Sequence, residues 1–488
     1  MQLGRTIISS LVALSLAGCG GGGGSGTGAG PTPGTGTGGG STGGTGGGTP
    51  TADTCSYTSR AQFARDIINE WYLFPDKVDT SVNAASFTDL QAYIDALVAP
   101  SVAPKGGPLL QEGLTYITSI KEETALINSG SNAGFGIRLS YDTVADKVFV
   151  LEAFETAPGF AAGMDRGTEL LIIDGKSVAQ LMATGSATAV SDALGPTSAG
   201  VTRTITFRTV QGVEKTATIT KAEYPLDPIS DRYGAQVLDD GAGGKVGYVN
   251  LRTFIVQDAD AQLRSAFGQF RTQGITRIIL DFRYNGGGLV SVAETLGSLL
   301  AADKVGQVFS KTVLRPSKAS ENTTDNFFAI PQAISATRVA VIGRTGTASA
   351  SELVFNSLIP YLGTNLALVG TNTFGKPVGQ YAFDRSACDD RLRVITFKTV
   401  NRDGNGEYYG GLASVAPVTC AAGDGITRQL GDPMEESTKV AIDFLNGKSC
   451  TPITGTTGGV KAQGGVDRFP LLRPRAPNAA QRDNPALY

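Results

Sequence analysis

The sequence predicts an α/β fold of the α+β, multidomain kind, and three features carry that prediction. Near-continuous apolar runs at 276–283 (TRIILDFR), 338–343 (RVAVIG) and 366–370 (LALVG) have the composition of strands buried on both faces; the first two lead through a loop into helical patterns at 289–300 and 350–362. Short alternating runs broken by Gly, Asp and Pro fill 134–221, the mark of a smaller strand-rich unit. Ahead of both, apolar residues at helical spacing form a small helical segment. The strand, loop, helix, strand cadence puts functional loops at the carboxyl ends of the sheet strands. With 488 residues, and about 100–200 residues per domain, two or three domains are expected.

Taken in order, residues 1–19 (MQLGRTIISSLVALSLAGC) hold one Arg, an apolar stretch too short to span a bilayer comfortably, and small residues, which reads as a secretory signal. Its end, Leu16-Ala17-Gly18-Cys19, resembles the bacterial lipobox. That resemblance implies acylation of Cys19 and an exported chain that meets the membrane only through an N-terminal lipid, facing the periplasm or the cell exterior. Residues 20–54 are almost wholly Gly, Thr, Ser and Pro and read as a flexible, disordered linker. The helical segment, 55–120, opens with Phe63, Ile67, Ile68, Trp71 and Tyr72 at helical spacing, stops at Pro75, and continues with helices at 86–98 and 109–119.

In 121–222, strands are expected at 134–139 and 147–151, a short helix at 157–163, a strand at 169–175 closing in an Asp174-Gly175 turn, and strands at 202–208 and 214–221. The core, 223–446, begins with a strand at 246–254 and a helix at 258–273, continues with the apolar runs above, and includes a strand pair, 391–400 and 407–415. Residues 447–488, rich in Gly, Pro and Arg, read as an irregular tail. Cys55, Cys388, Cys420 and Cys450 are an even set in an exported chain, so disulfides are expected. Of three possible pairings, Cys388 with Cys420 is favoured because they flank the expected strand pair, which leaves Cys55 with Cys450. No CxxC unit is present, so a zinc site is not expected; no cofactor is expected either.

Lys plus Arg number 41 and Asp plus Glu 44, a net charge of −3. That lacks the basic field a nucleic-acid binder needs. There is no histidine, which excludes Ser/His/Asp and Cys/His catalysis and imidazole-ligated metal sites. Any catalytic base must be Lys, Asp, Glu, Tyr or an amine.

The stretch GTASASEL (346–353) sets three hydroxyls among small residues where a buried strand gives way to a helix. A serine hydroxyl needs a base within hydrogen-bond reach and donors for the oxyanion formed on attack. Ser349 stands where the Ala350 N–H and the positive helix end point at charge developing beside it. Ser349 and Glu352 also have the spacing of a capping box, a purely structural role for the hydroxyl. A base is available at TFGKPVGQ (373–380): Lys376, between the apolar Phe374 and Val378, acts as one if burial lowers its pKa. In an extended segment Lys376, Val378 and Gln380 share a face, so the Gln380 amide oxygen can orient the amine. Asp281 and Arg283 read as an ion pair or turn anchor at a strand end rather than as catalytic groups.

Two resemblances follow. GFGI (134–137) with APGFAAGMDRGTELLIIDGKSV (157–178) resembles a PDZ domain, which implies that Gly134, Phe135, Gly136 and Ile137 form a loop that cradles the carboxylate of a protein's C-terminal tail. LDFRYNGGG (280–288), TASASE (347–352), TFGKPVGQ and GDPMEESTKVAIDFL (431–445) together resemble the C-terminal processing, or tail-specific, serine proteases, S41-type peptidases with a PDZ domain and a Ser/Lys dyad. That resemblance implies Ser349 as nucleophile, Lys376 as base with Gln380 in support, and the N–H groups of Ala350 and Gly287 as oxyanion donors. It implies an endopeptidase whose partners are protein substrates held by their tails. The alternative is a catalytically silent PDZ scaffold or ligand-binding protein on the same core. Three positions depart from the family: Thr347 where it commonly has Ser, Gly286 where it has Pro, and Pro377 where it has Gly.

Overall fold

The computed structural model describes residues 55–102, 110, 113–142, 144–454, 470–474 and 477–488. The expected signal segment with Cys19 and the linker 20–54 lie outside them. The mixed α/β architecture read from the sequence is the one observed. At its centre is a six-stranded sheet ordered Ala235–Asp239, Lys245–Asn250, Arg277–Asp281, Arg338–Gly343, Leu366–Gly370, Val418–Ala421, antiparallel at the first pair and parallel at the rest. Side chains alternate across it as a strand requires. Ile278, Leu280, Val339, Val341, Leu366 and Leu368 pack against helices Ala259–Thr272, Val290–Leu300 and Ala350–Leu362. Ile279, Ala340, Ile342, Ala367 and Val369 pack on the other face with helix Glu436–Leu445. Both faces are covered, which is why these strands are apolar throughout.

A second sheet has Asp390–Val400 at its centre, flanked by Tyr116–Ser119, Val308–Leu314 and Val378–Arg385. Helices Tyr57–Trp71 and Leu90–Val98 bury Ile68, Tyr72, Ile94 and Leu97 against its Leu392, Val394 and Ile395. A third, antiparallel sheet runs Ile137–Asp142, Lys147–Ala153, Glu169–Ile173, Thr202–Arg208, Glu214–Thr220 and carries helix Val178–Leu194. Its expected Asp174-Gly175 turn has both residues at positive φ, 46° and 77°, as a tight hairpin turn demands.

Several expectations are corrected. Within 109–119 the described residues form no helix; Tyr116–Ser119 is a strand, fixed by pairing with residues 390–393 far along the chain. Residues 407–415 are not a strand; the partner of Asp390–Val400 is the preceding Val378–Arg385. The disulfides are Cys55–Cys388 and Cys420–Cys450. Cys388 sits at the turn between Val378–Arg385 and Asp390–Val400, next to the chain entering the first helix, whereas Cys420 lies in a strand of the other sheet. The tail is ordered at its end, with helix Ala479–Asp483 and a buried Tyr488.

Candidate active site

After strand Arg338–Gly343 the chain turns sharply into helix Ala350–Leu362. Thr347 Oγ1 accepts the Arg344 N–H at 3.0 Å and donates to Phe282 O at 2.7 Å, and Ser351 Oγ donates to Asn285 O at 3.0 Å. Both hydroxyls are buried and committed to the loop after Arg277–Asp281. Ser349 alone of the three is part-exposed. It is the helix N-cap at φ 55°, ψ −117°, far from the extended conformation a cap usually adopts. A left-handed serine costs on the order of 1–3 kcal/mol and persists only where its surroundings over-determine it.

Glu352 supplies those surroundings. Fully buried, its Oε2 accepts the N–H groups of Ser349 at 3.0 Å and Lys376 at 2.8 Å, and its Oε1 accepts the Thr373 hydroxyl at 2.6 Å and the Gly375 N–H at 2.8 Å. The capping box is therefore present, but its carboxylate also bolts the TFGKPVGQ loop to the nucleophile turn and sets the Ser349 and Lys376 backbones side by side. Burial raises the Glu352 carboxyl to about 6, opposed by the Thr373 hydroxyl and the three backbone donors. Three of the four bonds join residues more than twenty positions apart, and no local spacing signals them.

Lys376 is buried, and its Nζ donates to Gln380 Oε1 at 3.1 Å. The Gln380 Nε2 donates to Leu114 O at 2.5 Å, which fixes the amide orientation and turns the oxygen to the amine. Burial lowers the Lys376 pKa from its usual 10.5; the nearby Asp483 carboxylate pulls the other way. An amine so placed gives up its proton more readily than an exposed lysine.

The Ala350 N–H is the first of its helix, one of the donors without an intrahelical acceptor. In the glycine triplet the expected donor, Gly287, has φ 112° and donates its N–H to Asn285 Oδ1 at 2.9 Å. The triplet N–H that meets a carbonyl is that of Gly286, which donates to Asp483 O at 2.9 Å. The triplet still lies against the serine, since a Cβ on Gly287 would stand 2.7 Å from Ser349 Cβ.

Asp281 and Arg283 form a buried ion pair at 2.8 Å, and the same guanidinium bridges to Glu435 at 2.9 Å and Asp424 at 3.1 Å. This network ties the strand end to helix Glu436–Leu445 beneath the site. The loop 134–137 is filled from within the chain: the N–H groups of Gly136 and Ile137 donate to the main-chain oxygen of Tyr488 at 2.8 and 3.2 Å. No group of three or more His, Cys, Asp or Glu among the described residues is arranged to hold a metal ion, and no helix among them is long and apolar enough to cross a membrane.

Residues 245–412 match the family described as Peptidase family S41. A carboxyl-terminal-processing protease from a Picosynechococcus strain is 27% identical over 256 residues, 52% of this chain and 57% of that protein. The chloroplastic C-terminal processing peptidase of Tetradesmus obliquus is 29% identical over 267 residues, 53% of this chain and 54% of that protein. The chain thus spans little more than half the length of these curated relatives. A crystal structure from Bacteroides fragilis assigned to the S41 proteases superposes with TM-score 0.60 at 19% identity, covering 79% of this chain and 97% of that one.

Proposed function

From the match of residues 245–412 to peptidase family S41, we propose that this chain is an exported serine endopeptidase that holds substrate proteins by their C-terminal tails and cleaves within them. The carrying observation is the shared Glu352 carboxylate, which sets the strained Ser349 turn beside a buried lysine. In the proposed reaction Ser349 Oγ attacks the scissile carbonyl carbon and its proton passes to neutral Lys376 Nζ, which Gln380 Oε1 orients. The oxyanion donors in this reading are the N–H groups of Ala350 and Gly287, the glycine that lies against Ser349. The tetrahedral species collapses as the lysine returns the proton to the leaving amine. Water then attacks the acyl-enzyme as Lys376 takes its proton, the lysine returns that proton to Ser349 Oγ as the acyl bond breaks, and the new acid leaves as its carboxylate with its proton lost to solvent. No step calls on a metal or cofactor.

The tail-binding part rests on the 134–137 loop, which takes a main-chain oxygen on two backbone N–H groups at the edge of strand Ile137–Asp142. That is the arrangement peptide capture by strand addition uses. Export and the lipid at Cys19 rest on the N-terminal sequence alone. Ser349→Ala is expected to abolish turnover of an unstructured protein substrate with the unfolding midpoint retained. Undiminished cleavage refutes the assignment of the nucleophile. Absence of turnover in the parent chain, with tail-peptide binding intact, points to the silent scaffold.

A further inference from the structure

Building on the protease reading above, we propose that segment 477–488 is an intramolecular ligand of this enzyme: Tyr488 fills the 134–137 loop, Asp483 stands across the catalytic cleft, and a substrate tail ending in tyrosine has to displace both. The segment joins the third sheet as an added strand. Tyr488 N donates to Ile137 O at 2.9 Å, Leu139 N donates to Ala486 O at 3.0 Å, and Leu487 pairs antiparallel with Arg138. This is β-augmentation supplied by the chain itself. Gly134 permits it, because a Cβ there would stand 2.8 Å from the Tyr488 carbonyl carbon.

The side chain explains the residue chosen. Tyr488 is 1% exposed, in a cluster with Phe135, Ile137, Val190 and Leu194, and its hydroxyl hydrogen-bonds Ser191 Oγ at 2.9 Å. A pocket built to pair a hydroxyl discriminates against an analogue that lacks one, because its own polar group is left without a partner. The preferred occupant of this pocket is therefore a tyrosine, ahead of phenylalanine or a small residue.

At the other end the segment meets the reacting groups. Asp483 O takes the Gly286 N–H, and a Cβ at Gly286 would lie 2.7 Å from that oxygen. The resembled family commonly has proline at this position, which has no N–H to give. The Asp483 carboxylate lies close enough to Lys376 to favour its protonated, inert form. Arg482 anchors the approach, donating to Gly113 O at 3.0 Å and lying 4.0 Å over the Tyr116 ring. Asp483 ends a helical turn, with Asn484 N donating to Ala480 O at 2.8 Å. The segment thus fills the cleft without offering the extended backbone a protease cuts, so it is a plug rather than a substrate. Being tethered, it competes at the high effective concentration of an intramolecular ligand.

The test compares cleavage of an unstructured protein substrate by the full chain, by a chain lacking 477–488, and by full-length Tyr488→Ala. Deletion is expected to raise kcat/KM about tenfold or more, as release of a tethered competitor does, and Tyr488→Ala is expected to raise it by a smaller factor. The peptide AAQRDNPALY added to the deleted chain should restore inhibition, and the same peptide ending in alanine should not. Equal activity of all three proteins, or inhibition indifferent to the final residue, overturns the proposal. Should deletion prevent folding, the Tyr488→Ala chain and its inhibition by added peptide decide in the same way. Fluorescence-detected binding of the two peptides to the deleted chain carrying Ser349→Ala separates the two readings: tyrosine-dependent binding without proteolysis in any form refutes the protease and leaves the tail ligand standing.

Discussion

Glu352→Gln removes one of the two acceptor oxygens that hold the Ser349 turn against the lysine loop. The carboxylate takes two donors on each oxygen: Ser349 and Lys376 N–H on Oε2, and the Thr373 hydroxyl and Gly375 N–H on Oε1. An amide has one carbonyl oxygen and one NH2. With its oxygen towards Ser349 and Lys376, its NH2 faces Thr373 Oγ1, which can turn to accept, and the Gly375 N–H, which cannot. The reverse orientation abandons two backbone N–H groups, so the first prevails, and one buried N–H loses its partner at about 1–3 kcal/mol. The substitution also relieves the burial that raises the carboxyl to about 6, so the loss falls towards the low end of that range. Activity falls further than stability, because a shift of about 1 Å between nucleophile and base costs on the order of a hundredfold. Urea unfolding at constant m-value reports the first effect, and kcat/KM on the chain lacking 477–488 reports the second. A variant within about 0.5 kcal/mol of the parent and equally active would refute the role assigned to this carboxylate.

Other outcomes follow from the same geometry. Protonated Lys376 is inert, so kcat/KM should rise with pH through its pKa, at a midpoint below 10.5 because burial lowers it; a midpoint at or above 10.5 contradicts a buried base. Arg283→Ala strands Asp281 and Glu435 without their shared cation, while Asp424 keeps Arg166, and is expected to cost about 3–5 kcal/mol in urea unfolding; a loss under about 1 kcal/mol contradicts a structural network. Arg283 and its neighbours depress the Glu435 carboxyl from 4.5 to about 2. A depressed acid contributes stability that is present above its ordinary pKa, so the parent should lose stability as pH falls from about 4.5 to about 2, and Arg283→Ala should lose less across that window.

What could be read along the chain was whatever a local pattern fixes. The runs 338–343, 350–362 and 366–370 are strand, helix and strand because their apolar residues must be covered on two faces, and composition alone states that demand. The Asp281–Arg283 pair is two residues apart in one strand end, and Lys376 and Gln380 are four apart at the start of another. What could not be read depends on partners hundreds of residues away. Residues 116–119 are a strand only because Asp390–Val400 offers an edge. Cys55 finds Cys388 because the first helix packs beside a hairpin turn. The S-x-x-E spacing shows one of the four bonds to Glu352, and the other three wait for the lysine loop to arrive. The tail reads as irregular because its order is borrowed from strand Ile137–Asp142, whose edge no composition of the tail predicts.

The most direct measurement of a Ser349/Lys376 reaction is covalent labelling by a serine-reactive phosphonate, located by peptide mass spectrometry in the chain lacking 477–488. One adduct is predicted, on the tryptic peptide that carries Ser349, forming faster as pH rises and absent from both Ser349→Ala and Lys376→Ala. An adduct on any other residue, or labelling of Ser349 that proceeds at the same rate in Lys376→Ala, contradicts it.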